Sequence, residues 1–187
     1  MTTRHLPWLL VAATVLSACG NHGDDMQVFG GSTDIVNHRI TLHDGNVTIK
    51  SSGVPDAVID ANGDLSIDGH NVAVNDAQRA LLQRYNAAAQ AMRTDAIATG
   101  KAGMATATQA MSSAAGKLTG AETEDTVKEK VDAAAANVKQ AAAKICDDMT
   151  AMKAVQNELA PQMEAFKPYA DALNTDSVER CKQHTTH

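Results

Sequence analysis

Residues 65–85 read LSIDGHNVAVNDAQRALLQRY, and within this one stretch the apolar spacing changes from two to about 3.6. Leu65 and Ile67 alternate with Ser66, Asp68-Gly69 carries turn chemistry, and Val72 and Val74 resume the alternation. At Asn75 the pattern changes. Asn75 and Gln78 are spaced as a capping box, and Leu82, Tyr85, Ala89, Met92 and Ala96 then fall on one face of a helix. A strand-forming region therefore ends where a long helix begins, which predicts an α+β fold with its two halves segregated along the chain.

Upstream, Ile40 and Leu42 alternate with Arg39, Thr41 and His43, the turn Asp44-Gly45-Asn46 follows, and Val47 and Ile49 alternate with Thr48 and Lys50. This is a hairpin signature. Val58-Ile59, Asn62-Gly63 and Leu65–Ile67 predict a second hairpin, so residues 35–75 read as a small antiparallel β-meander of four or five strands. Its modest apolar face requires a covering layer.

Downstream, residues 76–160 read as an antiparallel helical hairpin. Ile97, Met104, Met111 and Leu118 recur every seven residues in the first helix, which places Met104 and Met111 on its core repeat. Gly100 and Gly103 interrupt that run and leave its continuity open. Thr119-Gly120 forms the break. In the second helix, Val131, Val138, Ile145, Met152 and Leu159 repeat by seven, with Val127, Ala134, Ala141 and Val155 between them. Pro161 is expected to end it. Residues 161–187 read as a short C-terminal helix containing Met163, Phe166 and Tyr169, limited by Pro168, and a polar tail with His184 and His187.

The N-terminal end carries an address. Arg4 precedes an apolar run from Leu6 to Leu16, and Leu16-Ser17-Ala18-Cys19 resembles a bacterial lipobox, so residues 1–18 read as a lipoprotein signal and Cys19 as the acylated first mature residue. Two or three acyl chains, each buried methylene adding about 0.8 kcal/mol, would anchor the chain to a membrane through lipid alone. Residues 19–34, with Gly20, Gly23, Gly30 and Gly31, read as a flexible tether on the order of 20 Å long. Gly20 after the cysteine, where aspartate would favour inner-membrane retention, points to the outer membrane and its periplasmic face. Acylation of Cys19 leaves Cys146 and Cys181 as an even pair in an oxidising compartment, and a disulfide between them is expected.

Composition excludes several classes. Loss of Arg4 with the signal leaves 15 basic against 22 acidic residues, a formal charge of −7 that argues against a nucleic-acid partner. Four aromatic residues remain beyond the signal, Phe29, Tyr85, Phe166 and Tyr169, too few for stacking platforms. Asp60, Asn62, Asp64 and Asp68 have the spacing of calcium ligands, but Leu65 stands at the glycine position of such a loop and Asn71 at the glutamate position. His43 and His70 flank hairpin turns and have the chemistry to share a transition metal. The reading assigns no metal and no cofactor; His43, His70, Asp60 and Asp64 are the residues that would supply one. No nucleophile elbow, paired zinc motif or phosphate loop is present, so the chain is not read as an enzyme.

The stretch Leu65-Ser66-Ile67-Asp68-Gly69, Val72, Val74, Asn75, Ala77-Gln78-Arg79, Leu82 to Tyr85, and later Ile145-Cys146-Asp147-Asp148, resembles the YggN-like proteins of Gram-negative envelopes, a domain of unknown function. The resemblance covers about residues 35–160 and implies envelope location and this architecture, with no catalytic or ligand residues. The expectation is a lipid-anchored interaction or structural module acting on an unidentified envelope protein, its oligomeric state open. The alternative is a metal or small-ligand binder using the sheet.

Overall fold

The computed structural model describes residues 32–36, 39–120 and 123–186. Cys19, the signal, most of the tether, His38 and His187 lie outside the described residues. The chain forms an α+β fold: an antiparallel sheet, a long helical hairpin and a short C-terminal helix.

The sheet has six strands in sequential order: β1 (Ser32–Val36), β2 (Ile40–His43), β3 (Asn46–Ile49), β4 (Ala57–Ile59), β5 (Leu65–Ile67) and β6 (His70–Val72). This exceeds the four or five strands expected, because β1 begins three residues inside the segment read as tether and pairs with β2 from Ser32 against His43. Asp44-Gly45 and Asp68-Gly69 make the tight turns; all four residues have positive φ (47°, 78°, 53° and 73°), the conformation a two-residue hairpin turn needs to match the strand twist. The alternation puts Ile40, Leu42, Val47, Ile49, Ala57, Ile59 and Leu65 on one face, all buried. Thr41, Thr48, Val58, Ser66 and Asn71 align across the opposite face.

Helix α1 (Asp76–Leu118) covers the buried face with its first turns. It starts at the expected capping box: Asn75 Oδ1 accepts from the Gln78 N–H at 2.9 Å, and the Gln78 side chain accepts from the Asn75 N–H at 3.0 Å. Leu81, Leu82, Tyr85 and Ala89 enter the core. Asn86, 4 % exposed, donates to the Gly45 carbonyl at 2.8 Å and to the Ile59 carbonyl at 3.1 Å, so one amide ties the helix to two points of the sheet. α1 runs through Gly100 and Gly103 without a break.

Helix α2 (Glu124–Gln162) returns antiparallel, capped by Thr123, and contains Pro161 in its last turn. The helix ends after Gln162, two residues beyond the expected end at 160, so Pro161 shortens the last turn without stopping the helix before it. A 3₁₀ helix (Glu164–Tyr169), holding Pro168, then lays Phe166 and Tyr169 into the core. The Tyr85 and Phe166 rings meet edge to face with centroids 6.0 Å apart. Tyr169 donates its hydroxyl to the Pro55 carbonyl at 2.6 Å, and Gln156, fully buried, holds the Leu173 backbone by accepting from its N–H at 3.2 Å and donating to its carbonyl at 2.8 Å. Helix α3 (Thr175–Thr186) follows. The C-terminal segment is thus two elements where one short helix and a frayed tail were expected, and the helical backbone includes His184.

Candidate functional site

The hydrophobic core ends at Met92 on α1 and at Ile145 on α2. From there the two helices continue together toward Thr119 as an arm about 32 Å long. Two ion pairs mark its register, Arg84 with Glu158 at 3.0 Å near the base and Lys117 with Glu124 at 3.5 Å near the tip.

Along this arm α1 turns Thr99, Gly103, Thr106, Ala110 and Ser113 toward α2, positions that alternate by four and three as an antiparallel seam requires. Small side chains let the backbones approach. The hydroxyls of Thr99 and Thr106 donate to carbonyls four residues back, at 2.7 and 2.8 Å, so neither needs a partner across the seam. Ser113 is fully buried there and accepts from the Gln109 amide at 3.3 Å.

This corrects the assignment of Met104, Met111 and Leu118 to the core repeat. They are 55 %, 68 % and 90 % exposed, and Val131 on α2 is 38 % exposed. The seven-residue repeat is real but points outward, one position round the helix from the small-residue seam. Gly100, Ala107 and Ala114 complete it, all exposed. α1 therefore carries two heptad seams, one filled by α2 and one facing solvent, and the outward one contains no charged residue. The arm's surface near the tip on α2 is by contrast dense in charge, with Asp125, Lys128, Glu129 and Asp132 around one shallow depression.

At the junction of arm and base, Cys146 on α2 is bonded to Cys181 on α3, the Cα atoms 5.5 Å apart. Close by, Asp148 on α2 faces Asp95 on α1. Burial, then the charge of Asp95 and a hydrogen bond to it, then the charge of Asp147, push the Asp148 carboxyl above its ordinary value. Two carboxyls in contact share a proton more readily than they both ionise. Neither aspartate was singled out as a site residue; the available signal was that Asp148 falls seven residues before Val155, on the inward repeat of α2.

The four residues with metal chemistry are not assembled. In the sheet, His43 stands opposite Asn46 at one end of the strands, while His70 stands opposite Ile67 at the other end and four strands away. His43 Nε2 lies 3.0 Å from the Asp44 carboxylate, and the His70 ring nitrogen Nδ1 lies 2.8 Å from the Asp68 carbonyl oxygen. Asp60 is used in its own turn: Oδ1 accepts from the N–H groups of Asn62 and Asp64 at 2.9 and 2.8 Å. Asp64 pairs with Arg79 of α1. Among the described residues no group of three or more histidines, cysteines or acids is gathered to hold a metal, and no helix is long and apolar enough to cross a membrane. Burial pushes the Tyr85 hydroxyl well above the usual phenol range, and the group lies deep in the core, away from any opening.

A family model described as a protein of unknown function (DUF2884) matches residues 35–128, half of the chain, a span that takes in the end of β1, β2 to β6, all of α1 and the first turn of α2. No curated protein and no solved structure matches the chain.

Proposed function

Because the chain belongs to the DUF2884 family, proteins of unknown function, we propose from its surface and its sequence that it is a non-enzymatic interaction module of the bacterial envelope, lipid-anchored through Cys19. One observation carries the reading: a helical arm, extending beyond the core, presents to solvent an uncharged seam on which Met104, Met111 and Leu118 are exposed. Exposed apolar patches of this kind on a folded chain are maintained for binding, since in isolation they only add a solubility risk. The sheet with the C-terminal segment serves as the base from which the arm projects. Acylation at Cys19 and the outer-membrane, periplasmic location belong to the same proposal, supported by the lipobox spacing and by the resemblance to YggN-like envelope proteins. The metal-binding alternative loses its support, because His43 and His70 stand at opposite ends of the sheet.

A photo-crosslinking amino acid placed at Met111 in intact cells tests the binding role. The expected result is a discrete adduct from Met111 and none from Lys50, an exposed residue next to the sheet. Absence of any adduct from Met104, Met111 and Leu118 alike would sink the reading. Fractionation of Cys19→Ser tests the anchor separately: the expected outcome is release from membranes.

A further inference from the structure

We propose that the outward seam of α1 pairs with the same seam of a second copy, antiparallel, about a two-fold axis level with Gln109. The proposal rests on the reading of the arm as an interaction surface and names its occupant.

The size pattern carries the argument. In order, the seam reads Gly100, Met104, Ala107, Met111, Ala114, Leu118, small and large in strict alternation. In an antiparallel helix pair each layer joins the two different core positions of the heptad, whereas in a parallel pair like meets like. Laid antiparallel on itself about residue 109, the seam sets Leu118 against Gly100 of the second copy, Met104 against its Ala114, and Met111 against its Ala107. Every large side chain meets a small one. A parallel arrangement would instead stack Met on Met and Ala on Ala, with uneven spacing along the axis. The antiparallel contact is isologous, so it closes at two copies.

Charge permits the same pairing. Lys101 and Lys117 are the cations flanking the seam; in the antiparallel register Lys101 lies across from Ala115 of the second copy and Lys117 from its Gly103. Within α1, no like charges face each other.

Gly100, like Gly103 on the other seam, has room beside it. A Cβ built on it meets nothing within 4 Å, so packing inside the chain does not require glycine there. Its φ is that of the helix, and glycine in a helix interior costs about 1 kcal/mol relative to alanine. The room it leaves is the room Leu118 of a second copy would occupy.

The contact surface is extended. The seam runs about 27 Å along the helix, and the ion-pair register places Val131 of α2 level with Met111, so Val131 adds to the exposed apolar surface of Met104, Met111 and Leu118.

The test uses the full-length chain in intact cells. Met104→Cys combined with Ala114→Cys places two thiols about 15 Å apart along one helix, too far to bond within a chain, but opposite each other between antiparallel copies. Oxidation is expected to give a covalent dimer from the double variant. Neither single variant, nor the unsubstituted chain as background control, is expected to give one, because identical positions are offset by about 15 Å across the two-fold. Adding Met111→Glu is expected to reduce the adduct at least tenfold while leaving the helical circular-dichroism signal unchanged, Met111 being exposed. A dimer formed equally by a single variant overturns the antiparallel register. No dimer from the double variant overturns pairing between copies; a Met111 photo-adduct with a different protein then preserves the interaction role, and absence of every adduct removes both.

Discussion

At Gly63 two constraints fall on one residue: φ is +75°, and an added Cβ would lie 2.5 Å from the Arg79 carbonyl oxygen of α1. The β4–β5 turn touches the helix backbone at this point, and the side chain of Gln83 donates to the Asn62 carbonyl at 3.0 Å beside it. Gly63→Ala is expected to lower stability by about 1–3 kcal/mol, read as a reduced urea midpoint. Asp148 makes the second residue-scale case. Its carboxyl holds a proton more tightly in the folded chain than its ordinary value of 3.8 allows. The stability it contributes is therefore complete below that value and is lost as pH rises through the raised folded value. Asp148→Asn keeps the shape and removes the titration; the expected outcome is a higher urea midpoint at pH 7, little change at pH 4, and a flatter profile between them. The turn glycines were legible in the sequence from the Asp-Gly and Asn-Gly pairs. The contact between Asp95 and Asp148 was not, because it depends on the register between two helices.

Among the elements, α3 is the least tied by packing: Val178 is its buried apolar residue, and Cys181 packs at the edge of the core. The bond to Cys146, 35 residues back, is what holds it. On the chain-entropy account, reduction is expected to cost about 3–4 kcal/mol. Thermal unfolding with and without reductant measures this, and loss of the α3 amide signals from the folded state should accompany it. The strands β2 to β6 and both helices could be read from periodicity because their apolar residues recur cleanly. β1 could not: Ser32–Val36 lies among glycines and polar residues, and it is a strand because β2 offers it a free edge. In α1 the seven-residue repeat was visible, but its direction was not. Two seams with the same period run side by side, and only the fit to α2 decides which one is buried. The small one faces α2 and leaves Met104 and Met111 to solvent.

For the whole molecule, packing falls off sharply from base to arm. The base holds the apolar face of the sheet, Tyr85, Phe166, Tyr169 and Leu173, all buried; the arm holds one pair of helices that meet through small residues. Hydrogen exchange is expected to divide accordingly, with amides of residues 81–92 and 149–159 exchanging near the global limit and those of 100–118 and 127–141 exchanging much faster. Deuterium uptake measured by residue segment checks this gradient, and equal protection along α1 would contradict it.

Sequential strand order also bears on how fast the chain folds. Each strand pairs with the next one made, and α1 and α2 meet through one short turn, so most native contacts form between near neighbours and are reached quickly. The most distant ties run from the last segment to the sheet: Tyr169 to Pro55, across 114 positions, and Arg39 to Asp171, across 132. Until those late partners arrive, Ile40, Leu42, Val47 and Ile49 are only partly covered. Closure of the C-terminal segment over the sheet is therefore expected to come late in folding, which φ-values near zero for Tyr169 and Leu173 would check.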